Sequence, residues 1–223
     1  MKTKTWSFIV ITILLISIAL VFFFAFYIGT SDCPDVKTSE EYTPQTIEKT
    51  EDVNHKPVSV ERQVYDILLE SGISPAGACG ILANAKAESN LCPNNLENFY
   101  NRKFAVTDTE YTNLADKGEV DFVHDAAGYG LWQFTYYSFK QSLFDMAKTN
   151  GASVCDVKTQ VKTLIEILKT PEFSKLFKFL KETSSPESAA KEFMLVFERP
   201  ANQSESAIAV RTVFATEFYK NFN

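Results

Sequence analysis

Histidine is nearly missing from this chain of 223 residues: only His55 and His124 occur. A zinc site built on several imidazoles is therefore excluded, and nothing else in the sequence calls for a metal or a cofactor. The four cysteines (Cys33, Cys79, Cys92 and Cys155) are too few for a disulfide scaffold. Positive charge is also short. Lys and Arg total 22 against 28 Asp and Glu, a formal net charge of -6 with a pI near 5.1. That balance argues against nucleic acid, because phosphate needs a basic surface. No internal repeat is present. What the chain does have is apolar residues, 45% of the total, with 19 phenylalanines among them. This is the composition of a globular domain with room for an appendage.

The longest apolar run lies at the start. Trp6 to Ile28 carries no charge. As a helix, its 23 residues would be roughly 35 Å long, enough to span the hydrocarbon core of a bilayer. Lys2 and Lys4 precede it and acids follow it, so the positive-inside bias predicts a cytoplasmic segment 1–5. The prediction continues with a transmembrane anchor over 6–28 and everything later outside the membrane. A cleaved signal peptide is the alternative, but the run is long for one and no small-residue cut site follows. Residues 29–57 hold seven acids, three lysines and three prolines, with no Leu, Phe, Trp or Met. Such a segment reads as an extracytoplasmic tether. The remaining 58–223 carry 17 basic and 21 acidic residues, a net of -4, and no basic patch to hold them on anionic lipid.

The domain over 58–223 reads as mainly α. Val60, Val64, Ile67 and Leu68 recur at helical spacing, and Gly72 closes that segment. Ser74-Pro75 and Ser185-Pro186 each pair a cap with a proline at the first helical position, and Thr170-Pro171 reads in the same way. Further helices are expected over about 135–148, through the stripe from Val154 to Leu168, and over about 205–219. That makes six or seven helices around a phenylalanine-rich core. Residues 91–134 show no sustained period and form a long irregular insert, of the kind that often carries function.

Glu88 stands out within this pattern. The inward stripe of its helix is Ala78, Ile81, Leu82 and Ala85, and Glu88 continues it. Burial and the negative end of the helix dipole both disfavour a carboxylate there. A carboxyl that keeps its proton is what a general acid needs. The alternative is a solvated helix end, or a pair with Lys86.

Glu88-Ser89 at a helix end, followed after an irregular stretch by Gly128-Tyr129-Gly130-Leu131-Trp132-Gln133, resembles the lysozyme-like superfamily. The closer likeness is to the phage tail lysozyme family. It rests on 78–93, Asn95 to Asn98, 122–134, Phe197-Glu198-Arg199-Pro200 and Arg211. The chain departs from the family pattern at Ala83-Asn84, where a glycine-asparagine pair is common, and at Phe134, where tryptophan is common. The resemblance implies a lysozyme-like helical fold. It also implies a muramidase that cleaves the β-1,4 bond between N-acetylmuramic acid and N-acetylglucosamine in peptidoglycan. Glu88 would be the general acid. Ser89, Gly128, Tyr129, Gly130, Trp132, Gln133 and Tyr136 would form the substrate site, with the glycines admitting the sugar close to the backbone and the aromatic rings stacking on it.

Asp125, just before the glycine motif, is the first choice for a second catalytic carboxylate. Without a second acid, the expected outcome is lytic transglycosylation to a 1,6-anhydro product. Glu198 and Arg211 read as a structural ion pair between two helices. Two rival classes remain: a Cys–His peptidoglycan peptidase using His124, and an inactive wall-binding scaffold. The implied setting is a single-pass membrane protein with its catalytic domain at the cell wall. Its partner would be peptidoglycan, and it would open the wall locally for a secretion or conjugation complex.

Overall fold

The computed structural model describes residues 58–223, all within one compact unit that spans Asp52–Asn223. The expected anchor over 6–28 and the tether over 29–57 lie outside the described residues. Among the described residues, no helix is long and apolar enough to cross a membrane.

The described fold is helical, with no strand beyond one isolated bridge between Leu96 and Tyr129. In chain order the helices are α1 (Val60–Glu70), α2 (Pro75–Ser89), α3 (Asn98–Phe104), α4 (Asp108–Lys117), α5 (Tyr137–Asn150), α6 (Val157–Leu168), α7 (Ser174–Glu182), α8 (Pro186–Phe193) and α9 (Glu205–Phe222). A π-helical turn, Met194–Glu198, continues α8.

The cap signals are realised. The Ser74 hydroxyl accepts from the Gly77 amide and the Ser185 hydroxyl from the Ser188 amide, each with proline next in the chain. Thr170-Pro171 instead begins a turn, and α7 starts only at Ser174. The insert is less irregular than its lack of period implied, because α3 and α4 lie inside it. Thr107 and Glu110 form a reciprocal capping box at the start of α4, and Gly118 ends that helix.

Helix α2 is the axis of the domain. Every residue from Ala76 to Ala85 is buried, so it has no solvated face over most of its length. Small residues make this possible. A Cβ on Gly80 would lie 2.4 Å from the Ala189 Cβ, so α8 packs directly on the bare backbone. Helices α8 and α9 both pack along α2. Phe134, Phe139, Phe173, Phe193 and Phe197 form a continuous ring cluster that joins the insert to α5, the end of α8 and the π turn.

Candidate active site

The two sequence motifs meet in space through hydrogen bonds at their backbones. Ser89, the last residue of α2, donates its hydroxyl to the Leu131 carbonyl at 3.0 Å. Behind it, the Trp132 indole donates to the Ile81 carbonyl at 3.3 Å. The glycine segment also pairs with 95–97. The Glu97 amide donates to the Gly128 carbonyl and the Gly130 amide to the Asn95 carbonyl, both at 2.9 Å. Gln133 tightens this turn by donating to the carbonyl and side-chain oxygens of Asn95.

A cleft of about 470 Å³ opens where these segments converge. Its wall includes Gly128, Gln133 and Asn95 from the turn, with Phe99 exposed at the start of α3. Three carboxylic acids line it: Glu88 from the end of α2, Glu97 before α3, and Glu198 from the end of the π turn. The π turn sets the last of these. Its i→i+5 bond, from the Arg199 amide to the Met194 carbonyl at 2.8 Å, leaves Phe197 in the core and Glu198 in the cleft.

The charges around these acids differ from the expected arrangement. Arg211 of α9 was expected on Glu198, but its guanidinium is ion-paired with Glu88. It is aimed there by Asn84, whose side-chain oxygen accepts from Arg211 Nε at 2.9 Å. Asn84 is itself fixed, since its amide donates to the Gly80 and Ala190 carbonyls. Glu198 is thus left without a counter-ion bond. Its Oε1 is sealed from solvent and has no hydrogen-bond partner among the described residues. Burial, and then the neighbouring charge of Glu88, push the Glu198 carboxyl well above the usual range, and Arg211 offsets only part of this.

Several residues expected at the site stand elsewhere. Asp125 is not in the cleft wall. It pairs with the buried ammonium of Lys140, accepts from the Tyr111 hydroxyl and caps the Ala127 amide. Lys140 also donates to the Ala127 carbonyl at 2.9 Å and lies over the Phe122 ring. This cluster pins the approach to the glycine turn. Tyr129 and Trp132 are buried, so neither offers a ring face to a sugar. Gly130 turns away from the cleft. At φ +79° a Cβ there would meet the buried Gln160 amide at 2.6 Å, and Gln160 Oε1 accepts from the Leu131 amide. Ser89 is buried and serves the turn. Tyr136 is exposed, one residue beyond Thr135 of the cleft wall.

Glu97 stood among the acids the insert offered as a second carboxylate, with Asp125 preferred to it, while Asn84, Gln160 and Phe99 were missed. The capping role of Glu110 was there to be read, but nothing in the pattern marks the others. Among the described residues, the cysteines show no activated nucleophile. Cys79 lies inside α2, where burial pushes its thiol up to about 12, and His124 is bound to Asp121 on the surface. Cys79 and Cys155 are free thiols, so neither bridges to Cys92.

A model of the phage tail lysozyme family matches residues 59–222. The chain belongs to that family. No curated protein matches it. Membership makes this phage tail lysozyme domain a lysozyme-like enzyme of the glycosidase type, acting on peptidoglycan. It also gives a reason for the joint between the two motifs: Ser89 and Leu131 hold the acid-bearing helix end against the turn that walls the cleft.

Proposed function

We propose that the protein is a muramidase that hydrolyses the β-1,4 bond between N-acetylmuramic acid and N-acetylglucosamine, with Glu88 as an essential carboxylate at the scissile bond. The observation that supports this most is the placement of Glu88. It lies at the junction of the two family motifs and opens, with Glu97 and Glu198, into a polar cleft large enough for part of a sugar chain. Asn95 offers its amide N–H to acetamido or hydroxyl oxygens, Gln133 its side-chain carbonyl oxygen to a sugar hydroxyl, and Phe99 a ring face at the rim. Several acids in one cleft favour hydrolysis over transglycosylation, because a second carboxylate is at hand for the charged sugar.

The uncharged run 6–28 fits an anchor that holds the domain outside the membrane, against the wall. Such an anchor would keep the domain confined beside its substrate. Local opening of the wall for a secretion or conjugation apparatus suits that arrangement.

The test is Glu88→Gln in the full-length protein, assayed on purified peptidoglycan with product masses recorded. The expected result is a loss of at least about a hundredfold in rate. Wild-type products should carry one added water. Anhydro products, lighter by one water, would assign transglycosylation, and an inactive wild type would leave only a binding scaffold.

A further inference from the structure

Hydrolysis needs a group that takes a proton from water, and the acids near the cleft differ in their fitness for it. Asp125 is bound to Lys140 and the Tyr111 hydroxyl, away from the cleft wall. Glu198 lies beside the Glu88 charge with its Oε1 sealed. Glu97 is exposed, lines the cleft, and has no ion pair with a Lys, Arg or His among the described residues. It is also held in place. Glu97 Oε2 accepts from the Gly128 amide at 3.2 Å, while the Gly128 carbonyl accepts from the Glu97 amide at 2.9 Å. This reciprocal pair clamps the carboxylate to the glycine turn, which the Ser89 hydroxyl ties to the end of α2 through the Leu131 carbonyl. Glu88 on α2 and Glu97 before α3 thus reach one cleft from two elements. A cube of the cleft's 470 Å³ has an edge of about 8 Å, within the roughly 6.5–9.5 Å that separates two carboxyls when one of them must activate a water.

We propose that Glu97 is the catalytic base of the hydrolysis, taking a proton from the water that attacks C1 while Glu88 gives its proton to the bridging oxygen. This rests on the muramidase reading above. As the bond between C1 of the muramic residue and the bridging O4 breaks, its electron pair leaves on O4, which takes the proton of Glu88. The water oxygen bonds to C1 from the opposite face, and one water proton passes to Glu97. Glu97 then releases a proton to solvent and Glu88 takes one up. One water is consumed and both carboxyls are restored. A β linkage opened from its opposite face gives an α product, so the reaction inverts at C1.

The experiment uses the full-length protein on soluble glycan strands prepared from peptidoglycan. Glu97→Gln keeps an acceptor for the Gly128 amide and removes the base. It should lose roughly 10²–10⁴ in kcat with KM little changed. Azide attacks C1 without needing a base. Sodium azide should therefore restore much of the rate to Glu97→Gln, with an α-glycosyl azide as product, and should do nothing for Glu88→Gln. In wild type, the first product seen by NMR should be the α anomer. A kcat for Glu97→Gln within about threefold of wild type, or a loss that azide does not relieve, overturns the assignment. A β anomer formed first by wild type also overturns it, and that measurement decides the matter even if circular dichroism shows that Glu97→Gln does not fold. Wild type that cuts no strand, or leaves only anhydro ends, defeats the muramidase reading, and the assignment falls with it. The other outcomes bear on Glu97 alone.

Discussion

A carboxyl oxygen shut away from water needs either a donor or a proton, and Glu198 Oε1 has no donor among the described residues. This has a consequence for stability that is separate from catalysis. Burial and the Glu88 charge raise the folded carboxyl above its unfolded value near 4.5. The folded state therefore binds more protons than the unfolded chain once pH exceeds the unfolded value. The stability from this group is fully present below about pH 4.5 and is lost as pH rises through the folded value. Each unit between the two values corresponds to about 1.4 kcal/mol. Glu198→Gln, which holds no titrating proton, should flatten that slope. Urea unfolding midpoints of both proteins across pH 4 to 9 measure it. Parallel curves would mean that Glu198 is solvated in solution. The same site shows why Arg211 was misplaced by sequence reasoning. Glu88 and Glu198 both come within its range, and the Asn84 hydrogen bond, between residues 127 positions apart, holds the guanidinium on Glu88 together with the Ala207 carbonyl one turn back. Asp125 misled for a related reason. Its partner is a lysine with no exposure at all, on the buried stripe of α5 with Leu143 and Ala147, where lysine is almost never found unless paired.

At the scale of elements, legibility followed length and capping. Helices α1, α2, α6 and α8 announce themselves by apolar residues and by caps, serine at α1, α2 and α8 and Asp156 at α6, two of the serines followed by proline. Helix α3, of seven residues, is too short to show a period, and α4 was signalled only by its Thr107–Glu110 box. The π turn left no mark in the pattern, yet it is what brings Glu198 into the cleft. The fit of α2 against α8 is a steric matter that periodicity does not express, because α2 is buried all round. Gly80→Ala tests it. Helix propensity favours alanine by about 1 kcal/mol. Against this, the new Cβ would lie 2.4 Å from the Ala189 Cβ and 2.6 Å from the Ala189 carbonyl carbon, neither of which can rotate away. Overpacking of this kind costs about 1–3 kcal/mol, so the clash should win and the variant should unfold at lower denaturant. A midpoint equal to or above wild type would show that α8 can shift outward freely.

For the whole molecule, the relevant quantity is the sign of its charge. The chain carries -6, and 58–223 carry -4 of it, with acids also lining the cleft. Cationic proteins concentrate themselves on anionic cell walls, and this one cannot. Its access to glycan strands should instead be opposed by any anionic polymer attached to them. The repulsion acts over a Debye length of about 30 Å at 0.01 M salt and about 8 Å at 0.15 M. Walls stripped of anionic polymers should therefore be digested several-fold faster than intact walls at low salt, and the gap should close as salt rises. Acceleration by salt is the reverse of what a basic lysin would show, which makes the sign informative. Turbidity clearing by the full-length protein on both wall preparations, across that salt range, measures it. Equal rates on both at low salt would show that the cleft is shielded from the net charge, and that placement beside the wall, rather than charge, sets the rate of encounter.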